Sequence, residues 1–140
     1  LGGRQEYQEK YRVSPLYGVI TEYNRDQEKR VWLEELTRLL LEHGADPNWV
    51  YCVKDGAMIK NTLRATLSGY SGKYPVLFQA ICNNCSPKVL NLLVQHGAAM
   101  NAQVIDNGSI TSIKHYPFRG LNQETMQAIK ALGWRGNRFF

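Results

Sequence analysis

Residues 75–101 read PVLFQAICNNCSPKVLNLLVQHGAAMN. Pro75 suits the first turn of a helix, where the missing N–H has no partner to lose. Val76, Leu77, Ala80 and Ile81 follow at helical spacing. Asn83, Asn84 and Ser86 interrupt that stripe. Ser86 then reads as an N-cap, with Pro87 at the first helical position. Val89, Leu90, Leu93 and Val94 make a second stripe, widened by Leu92. His96 before Gly97 is a helix stop, because glycine takes the left-handed conformation without strain. The spacing predicts two short helices back to back. A pair this short cannot bury its apolar face alone, so it requires neighbours.

The neighbours have matching sequences. Residues 14–20, SPLYGVI, parallel the start of the central pair, and residues 39–48, LLLEHGADPN, parallel its end. Two ordered pairs of this kind resemble the ankyrin repeat family, whose pattern is roughly TPLHxAA, a turn, a Leu-rich helix and LLxxGADPN. The resemblance covers most of 14–48 and 74–101. It implies an all-α fold, a solenoid of stacked helix–turn–helix repeats with finger hairpins. In that frame 1–140 is a single repeat domain. Residues 108–136 form a weak terminal repeat and 49–73 a long insert. The implied function is non-catalytic protein–protein interaction through the curved inner face and fingers.

The chain departs from the pattern in several places. The interval from Gly44 to Gly97 is far longer than the usual period of about 33 residues. Within the insert Ile59, Leu63, Ala65, Thr66 and Leu67, with Met58, fit a short amphipathic helix that Gly69 and Gly72 end. The insert is either an elaborated finger or half of a degenerate repeat. Extra length also falls around 21–30, where residues 24–27 suggest a capping box. Trp32, Leu36, Leu39 and Leu40 would share one face of the helix that follows, Leu33 beside it, and Trp32 and Trp134 read as core or cap residues. Farther on, Asn107 and Gly108 favour a tight hairpin turn. Ile110 and Ile113 open another apolar stripe. Asn122 caps a last helix with Glu124 in its first turn, and Met126, Ile129 and Leu132 line one face. Residues 1–13 are either a last turn of a preceding repeat or a frayed end. The start at Leu1 suggests a piece of a longer protein. Phe139 and Phe140 either pack back on the last repeat or lead into a continuation.

Composition narrows the function classes. An apolar content of 44% argues against disorder. No apolar run approaches the roughly 20 residues of a membrane span, so no membrane partner is expected. Three cysteines make no disulfide framework and suit an intracellular setting, cytoplasm or nucleus, or a host cell if the parent is a microbial effector or viral protein. A net charge of +5 aids solubility without implying nucleic acid.

Candidate chemistry is sparse, and neither a cofactor nor a metal is expected. Cys82 and Cys85 have CxxC spacing, but no second pair completes a zinc site; Cys82 stands where a small core residue is expected, and Cys85, in the turn, is a candidate for simple thiol reactivity. His43 and His96 hold equal positions before the helix-stop glycines, where a histidine bonds free carbonyls. Residues 69–73, GYSGK, lack the Ser or Thr of a phosphate loop. No catalytic residue is assigned. The binding candidates are aromatic or amphipathic: Trp49, Tyr51, Tyr70, Tyr74, Phe78 and Gln79. Phe78 and Tyr17 take the place of the family's usual histidine. The expected partner is a protein of unknown identity, bound by a monomer rather than an obligate oligomer. Two alternatives stay open. One is a targeting or regulatory domain of a larger enzyme. The other is a nucleic-acid surface at 54–74, where Lys54, Lys60, Arg64 and Lys73 neighbour Tyr70 and Tyr74.

Overall fold

The computed structural model describes residues 14–23, 26–53 and 72–136. Helix α1 (Pro15–Glu22) starts where Ser14 accepts a hydrogen bond from the Tyr17 N–H at 3.1 Å. Helix α2 (Gln27–Glu42) is capped by Asp26, which accepts from the Glu28 and Lys29 N–H groups. Strands β1 (Val50–Val53) and β2 (Gly72–Pro75) come next. The central pair is α3 (Val76–Cys82) and α4 (Pro87–Gln95). Ser86 caps α4 through Val89 N–H, and Gly97 leaves it at a φ of +109°. Strands β3 (Gln103–Asp106) and β4 (Ser109–Ser112) follow, then a 3-10 turn (Ile113–His115) and α5 (Gln123–Ala131), capped by Asn122.

The expected all-α solenoid is not what forms. The fold is mixed α/β, five α-helices with a four-stranded antiparallel sheet in the order β1-β2-β3-β4 among the described residues. The reason is backbone hydrogen bonding. Segments joining successive helix pairs leave N–H and C=O groups that must find partners. Here they find each other across β1–β2, β2–β3 and β3–β4. The local signal was present as short runs, VYCV, QVID and SITS, that carry β-branched residues. The apolar pair Ile110 and Ile113 is accordingly not a helical stripe. Ile110 lies on β4 and is exposed, whereas Ile113 is buried in the 3-10 turn. Gly72 opens β2 rather than ending a helix.

Most core side chains belong to one cluster. Leu16 and Ile20 of α1, Leu77 and Ile81 of α3, Leu90 and Leu93 of α4 and Ile129 of α5 are fully buried in it. Each contributes about 1.5–3 kcal/mol of apolar burial. Helix α2 enters through Leu33, Thr37 and Leu41. Trp32, read as a core or cap residue on the face of Leu36, Leu39 and Leu40, is 66% exposed, and Leu39 is exposed too; the buried set on α2 runs 33–37–41, and of the expected face Leu40 packs partly buried against the cluster. Trp134 is partly buried against the cluster. Polar pins fix the order of the layers. The Tyr23 hydroxyl accepts from Arg30 Nε at 2.6 Å and from the Ser86 N–H at 3.1 Å, and Arg30 reaches Glu124 of α5 at 3.7 Å. Asn48 donates to Gly97 O and accepts from the Ala99 N–H, joining the loops after α2 and α4.

The small helix expected at 59–67, Tyr70, the capping residues 24 and 25, residues 1–13, and Phe139 and Phe140 lie outside the described residues.

Candidate functional site

The sheet has two faces, because side chains alternate along each strand. Register puts Tyr51, Val53, Gly72, Tyr74, Val104 and Asp106 on one face. Cys52, Lys73, Ile105 and Ile110 occupy the other. The first face carries a row of aromatic rings that continues onto α1, α3 and the segment after the 3-10 turn.

At one end Tyr17 of α1 packs on Trp49 at 5.0 Å between ring centroids and stacks on Tyr51 at 5.4 Å. Tyr51 faces Tyr74 directly across β1 and β2. At the other end Tyr74 stacks on Phe78 at 5.8 Å, and Phe78 meets Tyr116 edge-on at 4.8 Å. Phe118 closes the row against Phe78 and Tyr116, and Trp134 packs behind it, its Nε1 donating to Tyr116 O at 2.9 Å. Phe78 is buried, so it is the floor; Tyr51, Tyr74, Gln79 and Tyr116 are half-buried and line the surface. Gly72 is needed beneath Tyr74, since a Cβ there would meet the Tyr74 ring at 2.7 Å.

The polar groups on this row are ordered in one direction. The Tyr17 hydroxyl donates to Gln79 Oε1 at 3.2 Å, Gln79 Nε2 to Asn83 Oδ1, and Asn83 Nδ2 to Ile20 O. The Tyr74 hydroxyl donates to Asp106 Oδ1 at 3.0 Å and the Tyr116 hydroxyl to Asp106 Oδ2 at 2.8 Å. Three tyrosine protons are thus committed internally; Tyr17 is buried, whereas Tyr74 and Tyr116 are half-buried and their hydroxyl oxygens keep acceptor lone pairs. Desolvation, then the Asp106 charge, holds the Tyr74 phenol up at about 12 and raises Tyr116 further. Tyr17 is raised mainly by burial.

Beside Tyr116 lies a cavity of about 380 Å³ lined by Cys82, Pro117, Phe118, Arg119 and Leu121. Cys82 is exposed at the residue level rather than a core residue, yet desolvation at this wall, assisted by Asp106, pushes its thiol up to about 12. Cys85, a candidate for reactivity in the turn, is fully buried and its thiol is raised by that burial. His43 Nδ1 donates to Leu39 O at 2.8 Å, in the last turn of α2. Among the described residues no group of three or more His, Cys, Asp or Glu could hold a metal ion.

Of the sequence candidates, Trp49, Tyr51, Tyr74, Phe78 and Gln79 come together on this row, from three elements and the loop before β1. Tyr70, Lys54, Lys60 and Arg64 lie outside the described residues, and Lys73 is on the opposite face, its Nζ donating to Gln103 at 3.4 Å. Sequence reading missed Asp106 and Tyr116. Asp106 sits just before the Asn107–Gly108 turn, a corner position whose neighbour across the sheet only the register reveals. The curved inner wall of a helical stack, expected as the partner surface, is corrected here as well: the surface is built on a β-sheet, so the all-helical basis for that function and for the repeat-scaffold description is absent.

No helix among the described residues is long and apolar enough to cross a membrane. Comparison with protein-family models, curated proteins and solved structures finds no match to this chain.

Proposed function

We propose that the chain is a binding module that holds an extended polypeptide segment along the tyrosine row on the sheet. The observation that carries this reading is the direction of the hydrogen bonds. The half-buried Tyr74 and Tyr116 spend their protons on Asp106, and the buried Tyr17 spends its own on Gln79, leaving aromatic area edged with acceptors. Such a surface favours a ligand that brings apolar contact together with its own donors, as a polypeptide does through its N–H groups. Tyrosines supply that contact area at a low entropic cost. The reading has no catalytic step.

Selection from a displayed library of random peptides against the full chain tests the reading. The expected result is an enriched sequence family whose affinity falls about tenfold or more in Tyr51→Ala and in Gln79→Ala, with circular dichroism unchanged. An empty selection, or peptides indifferent to both substitutions, sinks it.

A further inference from the structure

The geometry points to a lysine-reading subsite at Asp106, Tyr74 and Tyr116, where the ammonium group of a bound segment is held. This rests on the reading above of the tyrosine row as a peptide-binding surface, called the groove below, and names the side chain that the row selects.

The argument is a count of acceptors. A carboxylate has about four lone-pair sites and no donor. Asp106 uses one on each oxygen for a tyrosine hydroxyl, at 3.0 Å and 2.8 Å. One remains on each. Tyr74 Oη and Tyr116 Oη, having donated, can only accept from a ligand. The cluster is therefore three acceptor groups around a single negative charge, with no proton to offer. An ammonium group has three donors and one positive charge, which matches group for group. A guanidinium matches less well, since its planar fork binds best to a carboxylate whose two oxygens are both unencumbered. The walls suit the stem of a lysine. The half-buried rings of Tyr74 and Tyr116, packed on the buried Phe78 at 5.8 Å and 4.8 Å, give the methylenes aromatic surface to lie on while the head reaches the carboxylate. Ring faces add attraction for a cation. Asp106, Tyr74 and Tyr116 are half-buried, which lowers screening of the charge without closing access. Their anchoring is rigid: Asp106 is fixed in register opposite Gly72, and Tyr116 carries the Trp134 indole on its carbonyl.

The test is a nuclear magnetic resonance titration of the full chain with Nα-acetyl-lysine methylamide, beside its norleucine and arginine counterparts. The lysine probe is expected to give saturable shifts at the amides of Asp106 and Asn107. The norleucine probe, which keeps the four-carbon stem but lacks the ammonium group, should bind about tenfold more weakly or worse. Asp106→Asn should cost the lysine probe a similar factor. Tyr116→Phe, which keeps the ring and the Asp106 charge and returns a lone pair on Asp106 Oδ2 in exchange for the hydroxyl acceptor it removes, should cost the lysine probe far less than Asp106→Asn and guards against a folding defect in the first variant. Equal binding of norleucine, tighter binding of arginine, or indifference to both substitutions overturns the proposal. The two readings fail separately. Selected peptides that depend on Tyr51 and Gln79 but tolerate lysine-to-norleucine replacement leave the groove standing and remove the ammonium site. A selection that yields nothing removes the groove, and this subsite with it.

Discussion

At the scale of single residues, Asp106 does the most with one side chain. It accepts two tyrosine hydroxyls that come from different elements, and its charge helps raise both phenols. Asp106→Asn should therefore lower the Tyr74 and Tyr116 titrations toward the free value. Nuclear magnetic resonance titration of ring-labelled tyrosines reads the two phenols separately, and midpoints unchanged by the substitution contradict the contact. The cysteines offer an independent check on burial. Cys52 is exposed, Cys82 carries a raised thiol at the cavity wall, and Cys85 is buried. Iodoacetamide at about pH 8 should label Cys52 first, Cys82 slowly, and Cys85 only on unfolding. Peptide mass spectrometry ranks the three. Early labelling of Cys85 would place it outside the core.

At the scale of elements, helix ends and loop pins determine how the layers meet. Asn48 bridges the loop after α2 to the loop after α4 through Gly97 O at 2.8 Å and the Ala99 N–H at 3.2 Å. Asn48→Ala should cost about 1 kcal/mol, the worth of a typical hydrogen-bonded pin at an exposed site. Leu90, fully buried on α4, sits at the other extreme. Leu90→Ala should cost about 2–5 kcal/mol, from lost transfer energy plus the cavity left behind. Urea denaturation of both variants measures the contrast, and equal losses would mean that the α4 face is not core. These helix ends were readable beforehand. Ser14, Ser86 and Asn122 are caps, and Gly44, Gly97 and Gly133 leave their helices at positive φ. Asp26 does the capping at the start of α2 in place of the box suggested at 24–27. The strands were legible only as turns and short β-branched runs, because a strand's hydrogen bonds go to a partner that its own sequence does not name.

At the scale of the whole molecule, two acids with raised titrations make stability depend on alkaline pH. The folded state holds the Cys82 thiol and the Tyr74 phenol protonated up to about 12, above their ordinary values of 9.0 and 10.0. The protein binds these protons more tightly when folded, so the contribution is complete below about pH 9 and is lost as pH rises toward 12. Thermal melts should give a midpoint that is insensitive to these groups around neutrality and falls steadily above about pH 9. A midpoint unchanged to pH 12 would show that neither group is desolvated. The same scale explains the displaced expectation about architecture. Helix pairs carrying apolar stripes read as a purely helical stack, yet the connecting segments hydrogen-bond edge to edge and add a sheet that carries the aromatic row.

By itself the sequence determined the starts of α1, α4 and α5, the stops of α2, α4 and α5, and which hairpin turns at Asn107 and Gly108, since caps, prolines and left-handed glycines act within a few residues of chain. It also singled out Trp49, Tyr51, Tyr70, Tyr74, Phe78 and Gln79 as binding candidates, of which Phe78 is buried. Tertiary structure alone decided that Trp32 faces outward, that four strands unite into one sheet, and that Asp106 lies under two tyrosines from other elements. Those outcomes depend on sheet register and on which stripe of a helix finds a neighbour, and both are settled by contacts between residues far apart along the chain.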